Sequence, residues 1–512
     1  MREKLKTFLL MSLVLTSLIL TKQLWIELPN RVLSVKATEG QDSIPNYDLI
    51  DMIAPNKYLI HFDENNHTLF YDESKYTLWT DAREGIRSAM ESKEIGLEEI
   101  SKEDLSSYNR ERSISFEFPE KLNTYILAKA LEIEKPNSII DTIENIDAIY
   151  IYLGSKEPFF VFSNDQKSVK LTDKDLSYIK EYREDEFKWD IISKIEDRFN
   201  IRSQEPDQEE DVFKLAKLKE KVSEIEGKQN FNYYYSMKDM VGTDRDIYIP
   251  YEMDNILPAI YMENEIVSLD EDSKRQLVEG FLNENIDYIR EVVESNGSNI
   301  FIHDQMVLKL NPNGTLEYFQ ALDERVRKRS LYESMTRAAD FLSSRTGLSN
   351  GMYLSNIEEI VDEDGSQGFE LTYKYRVRGI PIILGNINYD DFVKIEVFNK
   401  HIRSYKQYRR KDMEKSLDLT IDKGKKMLHS FDVIDKNYDI FLRDYMEARP
   451  GEKLGSVEEV LSSIRDITLA YYDPCLKDRN EKLIGVWVIR TDSSLYSFDI
   501  YKGSLVNKNR IR

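Results

Sequence analysis

The first 28 residues constrain this chain more than any other stretch. Arg2, Lys4 and Lys6 precede an uncharged run from Thr7 to Thr21, and Phe8 to Leu20 is mostly Leu, Ile, Val, Phe and Met. Lys22 can reach its ammonium toward the interface, Trp25 suits the headgroup belt, and Glu27 then sits at the wet outer edge. A helix from Phe8 to Leu28 covers roughly 31 Å, about the hydrocarbon thickness of a bilayer. The pattern predicts one transmembrane helix over residues 7–28. A cleaved signal peptide is the rival, but it needs small residues soon after the apolar core. Lys22-Gln23-Leu24-Trp25-Ile26 follows instead, and the nearest acceptable pair, Val35 and Ala37, lies well beyond the usual reach. A lipoprotein is excluded because the only cysteine is Cys475. The basic tip, residues 1–6, places the N-terminus in the cytoplasm and the bulk outside, as a single-pass protein of the cell membrane.

Behind that helix the composition is that of a folded chain. With 512 residues there is room for roughly three domains of ordinary size. At 41% hydrophobic residues the chain can bury real cores, and 31 Tyr and 22 Phe against 20 Gly and 13 Pro suit sheets with economical turns. A formal charge of −22 excludes nucleic acid as a partner, because phosphates must be neutralised by Lys and Arg. One cysteine allows no internal disulfide, which for an exported domain points to a bacterium that does without them. Asn296-Gly297-Ser298 is then a turn rather than a glycosylation site.

Residues 29–46 are a polar juxtamembrane linker, and 47–202 an N-terminal α/β region of the ectodomain. Lys57–Phe62 and Thr68–Tyr71 read as strands around a hairpin turn at Asp63-Glu64-Asn65-Asn66. Tyr76–Thr80 reads as another strand, and Ala82–Ser92 as a helix capped by Asp81. Asn123–Glu132 is helical and stops near Pro136. Ala148–Leu153 pairs with Phe159–Ser163. Residues 203–230 form a charged helical connector with a narrow seam at Val212, Leu215, Leu218 and Val222.

Residues 231–410 make a central α+β domain. Strands are expected at Ile289–Val293, Ile300–Leu310 and Thr315–Gln320, the last two joined by Asn311-Pro312-Asn313-Gly314, where Gly314 supplies positive φ. A helix at Ser330–Arg345, capped by Gly347, precedes strands at Phe369–Val377, Ile380–Leu384, Val393–Asn399 and Ile402–Tyr408. The C-terminal α+β domain, 411–512, repeats the order. Helices at Leu417–Ser430 and Val457–Arg465 lead to strands at Thr468–Tyr472, Leu483–Arg490 and Ser494–Tyr501. The fold class is α+β: antiparallel sheets packed with helices, two of the units related in layout.

No grouping announces chemistry. His61 and His67 flank Asp63 and Glu64 and could ligate a transition metal, but a hairpin turn with histidines on its strand ends explains them better. His303, His401 and His429 have no spaced partners. Asp362-Glu363-Asp364-Gly365 opens like a calcium loop, yet the sixth and twelfth positions are Gln367 and Tyr373 rather than Gly and Glu, so it reads as a turn. Gly347-Leu348-Ser349-Asn350-Gly351 spells the nucleophile-elbow pattern, but a helix precedes the serine and none follows. No Walker loop, H-E-x-x-H or G-x-G-x-x-G occurs. The expectation is a non-enzyme with no catalytic residue, no metal and no cofactor.

Within the membrane helix, Ser12, Thr16 and Gln23 share a face with Ile19. Such a polar strip can bond a neighbouring helix, at about 1 kcal/mol per bond, although Ser12 and Thr16 can also bond back to their own helix. Gln23 lacks that local option and favours a partner helix.

The order of parts resembles the YycH family of bacteria with Gram-positive ancestry. Ile289–Val293 through Thr315–Tyr318 is similar to that family's central sheet. Tyr373–Ile382 followed by Val393–Val397 resembles the unit shared with its smaller sister protein, YycI. Thr468–Tyr472, Gly485–Ile489 and Tyr496–Asp499 resemble its closing strands. The resemblance rests on apolar and aromatic patterns and brings no catalytic motif. It implies a membrane-anchored accessory regulator of an essential cell-wall two-component system, acting on a WalK-like sensor histidine kinase beside a YycI-like partner. A different class of reading is an anchored extracytoplasmic enzyme or protease inhibitor acting on wall or peptide substrates, by analogy with helix-on-sheet inhibitors.

Overall fold

The structure, a computed structural model, describes residues 49–173 without 56, 65, 70–74, 94, 109–110 and 154–157; residues 234–236, 247–250 and 257; and residues 260–510 without 323, 346–350, 378–379, 386–390, 413–426, 450–455 and 476–479. The expected membrane helix, the linker to residue 46 and the connector at 203–230 lie outside the described residues. Among those described, no helix is long and apolar enough to cross a membrane.

The chain is mixed α+β, with large antiparallel sheets and several helices. Its described part opens with α1 (Leu49–Met52), the hairpin β1 (Lys57–His61) and β2 (His67–Leu69), and a long helix α2 (Lys75–Glu91). Then come β3 (Ile95–Ile100), α3 (Lys102–Tyr108), β4 (Ser113–Asn123), α4 (Thr124–Ala130), α5 (Ile139–Thr142), β5 (Asn145–Tyr152), β6 (Phe159–Ser163) and β7 (Ser168–Asp173). Two short strands, β8 (Tyr234–Ser236) and β9 (Tyr248–Pro250), complete a sheet of order β3-β7-β6-β5-β4-β1-β2-β8-β9.

Residues 76–80, expected as a strand, belong to α2. Their aromatic and β-branched character suggested a pleated surface, but Leu78, Trp79, Ala82, Ile86, Ala89 and Met90 are all buried and recur at helical spacing. Asp81 is therefore inside the helix rather than at its cap. The end of α2 is closed by a distant residue: Asn137 donates its Nδ2 to the carbonyls of Ala89 and Ser92, at 2.8 and 2.9 Å, and its backbone N–H to Met90. Helix α4 starts where expected, with the Asn123 side chain accepting from the N–H groups of Tyr125 and Ile126.

The second sheet takes its first strand from β10 (Ile260–Asn264), which is followed by α6 (Glu265–Ser268) and α7 (Glu271–Leu282). Its strands β11 (Arg290–Val293), β12 (Asn299–His303), β13 (Met306–Leu310) and β14 (Thr315–Gln320) form a meander. The expected strand at 300–310 is two strands. Asp304 adopts φ 48 and turns the chain back between them, a left-handed conformation that Asp tolerates better than most residues. Helix α8 (Leu331–Arg345) precedes β15 (Met352–Val361), β16 (Gln367–Val377), β17 (Ile380–Leu384), β18 (Val393–Phe398), β19 (His401–Tyr408) and β20 (Arg410–Asp412). Strand β15 was not expected, because Gly351 and a run of polar residues mask its pairing with β16.

The C-terminal part contains α9 (Ser430–Lys436), α10 (Tyr438–Ala448), α11 (Val457–Ser462) and the meander β21 (Ile464–Asp473), β22 (Asn480–Thr491), β23 (Ser494–Asp499) and β24 (Leu505–Arg510). Most of the expected helix at 417–430 falls outside the described residues, and its described end, Met427 to His429, is not helical. Helix α11 starts at a capping box, Ser456 with Glu459.

One core runs from the first sheet into the second. Trp79, Phe116 and Phe162 belong to the same cluster as Phe281, Phe341 and Tyr405. Helix α1 touches both α4 and α8, while α8 lies on β16, β18 and β19. Met52 and the following Ile53 are buried in this cluster. A second core beneath the C-terminal meander holds Trp487, Tyr496 and Phe498, and it takes in Ile247 and Ile249 from around β9.

Candidate functional site

Two joints between strands distant in sequence hold buried polar groups. The first is built on the β1–β2 hairpin. Its turn closes as the composition expected: Phe62 N–H donates to the Asn66 carbonyl at 2.9 Å, and Asn66 donates from its backbone and side chain to the Asp63 carboxylate. Asp63 and Glu64 are exposed, whereas His61 and His67 are buried. The register pairs the two histidines directly, and their Nδ1 atoms stand 2.8 Å apart, so one donates and the other accepts. Burial, then the neighbouring His67, holds His61 down to about 3. Tyr248 on β9 meets both rings edge-on, at centroid distances of 5.8 and 5.2 Å. The histidines thus fasten β8 and β9 to the hairpin. Among the described residues no three His, Cys, Asp or Glu side chains are grouped as metal ligands.

The second joint escaped the sequence reading. Strand β17 runs parallel to β21, which sets Leu384 opposite Asp473, and Gly385 N–H donates to the Asp473 carbonyl at 2.7 Å. Strand β20 pairs with β10, which in turn pairs with β22. These crossings bring Arg410 beside Asp473, with Nε 3.6 Å from Oδ2. The Arg410 guanidinium also bonds the Tyr408 hydroxyl and lies over its ring at 4.6 Å. Nearby, the buried Arg376 guanidinium stacks at 4.0 Å over Tyr353. The local signal was slight: a charged residue just past each of two strand-like segments. Cys475 follows at φ 57, its Sγ 3.4 Å from the Asp473 carbonyl.

The remaining candidates separate. Ser349 lies outside the described residues, and the chain after it enters strand β15 rather than a helix. Asp362–Ser366 is a turn, with Gly365 at φ 80, and Asp362 bonds Arg403, which also holds Glu396 at 2.8 Å. That bond to Arg403 keeps the Asp362 carboxyl below its ordinary range. His303 stands 3.5 Å from Asp304, His401 is exposed, and His429 caps α9. On the first sheet, burial and then Asp165 and Glu117 push the Asp147 carboxyl up to about 6. Ser12, Thr16, Ile19 and Gln23, the expected membrane face, lie outside the described residues. What this geometry can do is hold structural units in fixed relation.

Comparison with known proteins adds a family. Residues 3–186 match the family model described as YycH protein, N-terminal domain. No curated protein matches. Nine chains of solved structures do. An uncharacterized protein from Eubacterium rectale is 16% identical, with 52% of this chain and 90% of that one covered and a TM-score of 0.31. The YpeB C-terminal domain from Bacillus megaterium is 13% identical, with 48% and 98% covered and a TM-score of 0.25.

Proposed function

With residues 3–186 assigned to the YycH family by their N-terminal domain, we propose that this protein is a non-enzymatic, membrane-anchored accessory regulator of a WalK-like sensor histidine kinase. Such a domain points to a regulatory accessory role in that two-component system. The observation that carries the reading is the extent of the match. It opens at residue 3, so the basic tip and the apolar run are part of what the chain shares with the family.

The physical route runs from the lipid to the core. A regulator shifts a kinase only through contacts that differ between the kinase's states. The polar strip at Ser12, Thr16 and Gln23 offers such contacts inside the bilayer, where a YycI-like protein would be a second neighbour. Helix α1, the first described element after the linker, is locked against α4 and α8. Movement that reaches α1 is thereby passed to the elements around both sheets.

The test replaces residues 8–28 with an unrelated membrane helix and reads kinase output in cells. Regulation should be lost or sharply weakened while the ectodomain stays anchored. Unchanged output would remove the membrane helix from the mechanism.

A further inference from the structure

We propose that this protein binds a second copy of itself edge to edge through strand β11, the pairing centred on Val292. Strand β11 ends the larger sheet, and among the described residues its hydrogen-bonded neighbour is β12 alone. All four of its residues are exposed, Val292 by 37% and Val293 by 65%, and Tyr288 just before it by 76%. Exposed sheet edges are usually blunted by shortness, charge, proline, a bulge or a covering segment; β11 is short and carries Arg290 and Glu291, but has no proline and no bulge. Here the register with β12 runs unbroken from Arg290 opposite Ile302 to Val293 opposite Asn299.

The free backbone groups can be assigned. Glu294 N–H donates to the Ser298 carbonyl at 2.9 Å. In an antiparallel ladder the bonded pairs recur every second residue, so positions 290, 292 and 294 face β12. Glu291 and Val293 then direct their N–H and C=O groups outward. The sheet's open face beside this edge carries apolar side chains among the charged Arg290, Lys309 and Glu317. Val292 lies opposite Ile300, and Ile302, Val307 and Phe319 form a row across the next three strands, with Phe319 exposed by 48%. On the other face, Tyr318 packs against Phe281 of α7 and Phe341 of α8.

Charge selects both the occupant and the register. A two-fold axis perpendicular to the sheet keeps each residue's face, so only positions of equal parity can oppose one another. Centring on Arg290 or on Glu291 sets like charges together, which destabilises a pair. Centring on Val293 sets Arg290 against Asn296 and forms no opposite-charge pair. Centring on Val292 sets Arg290 opposite Glu294 of the other copy, twice, beside the existing Lys309–Glu294 pair at 2.8 Å. It also sets Glu291 opposite Val293 in both directions, each pair exchanging both outward backbone bonds. Val292 of one copy then meets Val292 of the other, with Ile300 of each copy beside it. This inference does not rest on the kinase reading.

The experiment uses the full chain in membranes of expressing cells, with Cys475→Ser to remove the native thiol. Val292 opposes itself across the axis in a non-bonded pair, where Cα atoms lie about 4.5 Å apart, within disulfide reach. Mild oxidation of Val292→Cys should give a crosslinked dimer, while the more exposed Tyr288→Cys should give none. Adding Val293→Pro, which removes one outward N–H per copy and spares the bonds to β12, should cut the yield about tenfold. The surface change Arg290→Glu should also lower it. Absence of a dimer from Val292→Cys, equal yields from Val292→Cys and Tyr288→Cys, or yields unmoved by both second changes would each overturn the proposal. So would a crosslink from Val292→Cys to another protein in place of the dimer.

Discussion

Arg410 and Asp473 face each other at 3.6 Å with side chains only 0% and 1% exposed, a charge pair withdrawn from water where β20 and β21 meet. Their distance in sequence and their closeness in space come from two crossings, β17 onto β21 and β20 onto β10. A buried pair of this kind adds little net stability over an apolar replacement, but it penalises any arrangement that separates the two charges. The joint is thus a device for specifying how the central and closing strands sit together.

Removing one partner should therefore hurt more than removing both. Asp473→Ala strands the Arg410 cation and should destabilise the protein by about 3 kcal/mol, whereas Arg410→Met with Asp473→Leu should recover most of that loss. Urea midpoints of the two variants against the native chain measure the difference. Equal losses would show that the pair is not coupled.

The His61–His67 pair makes stability depend on pH. The folded state holds His61 at about 3, through burial first and His67 second, below its ordinary 6.5. The unfolded chain therefore binds the proton more readily. Stability is fully present above 6.5 and should fall by about 1.4 kcal/mol for each pH unit from there toward 3. His61→Phe should flatten that slope. Melting curves at pH 7.5 and 5.5, native against variant, provide the measurement.

Asp147 has the opposite sign. Its carboxyl is raised to about 6 by burial and by Asp165 and Glu117, so its charged form opposes folding at neutral pH. Asp147→Asn should stabilise the chain at pH 7.5 by less than about 1 kcal/mol, since the residue is half-exposed and solvent screens its neighbours. That gain should shrink below pH 6 and vanish below about 3, where the carboxyl is neutral in both states. A stabilisation independent of pH would point to some other cause.

Asn137 closes α2 from a distance of more than forty residues, through two side-chain bonds to Ala89 and Ser92. Asn137→Ala leaves both carbonyls without that donor and should cost about 1–2 kcal/mol. Hydrogen exchange should show the loss concentrated in the last turn of α2. Protection lost evenly along the helix would argue against a capping role.

Much of the site and fold was readable wherever a short stretch of chain carries its own reason. The turns at Asp63–Asn66 and Asn311–Gly314 were readable because Asp, Asn and Gly satisfy the bend locally. The helix at Thr124–Ala130 was readable from Asn123, and most strands of the two meanders from alternation. Residues 76–80 were misread because an aromatic, β-branched run suits a strand or a buried helix equally, and only the core beside Phe116 decides between them. The split at Asp304 and the strand β15 were missed for a related reason: one depends on a single left-handed residue, the other on its partner β16.

The amino-acid order by itself determined the α+β class, the acidic surface, the turn positions and the apolar run that opens the chain, because each follows from side-chain chemistry within a few residues. Tertiary structure alone decided that β8 and β9 join the first sheet, that the two histidines bond each other, and that Arg410 meets Asp473. Those outcomes need segments tens or hundreds of residues apart to find one another. Strand pairing and the burial of charge report on that meeting, and nothing local in the chain encodes it.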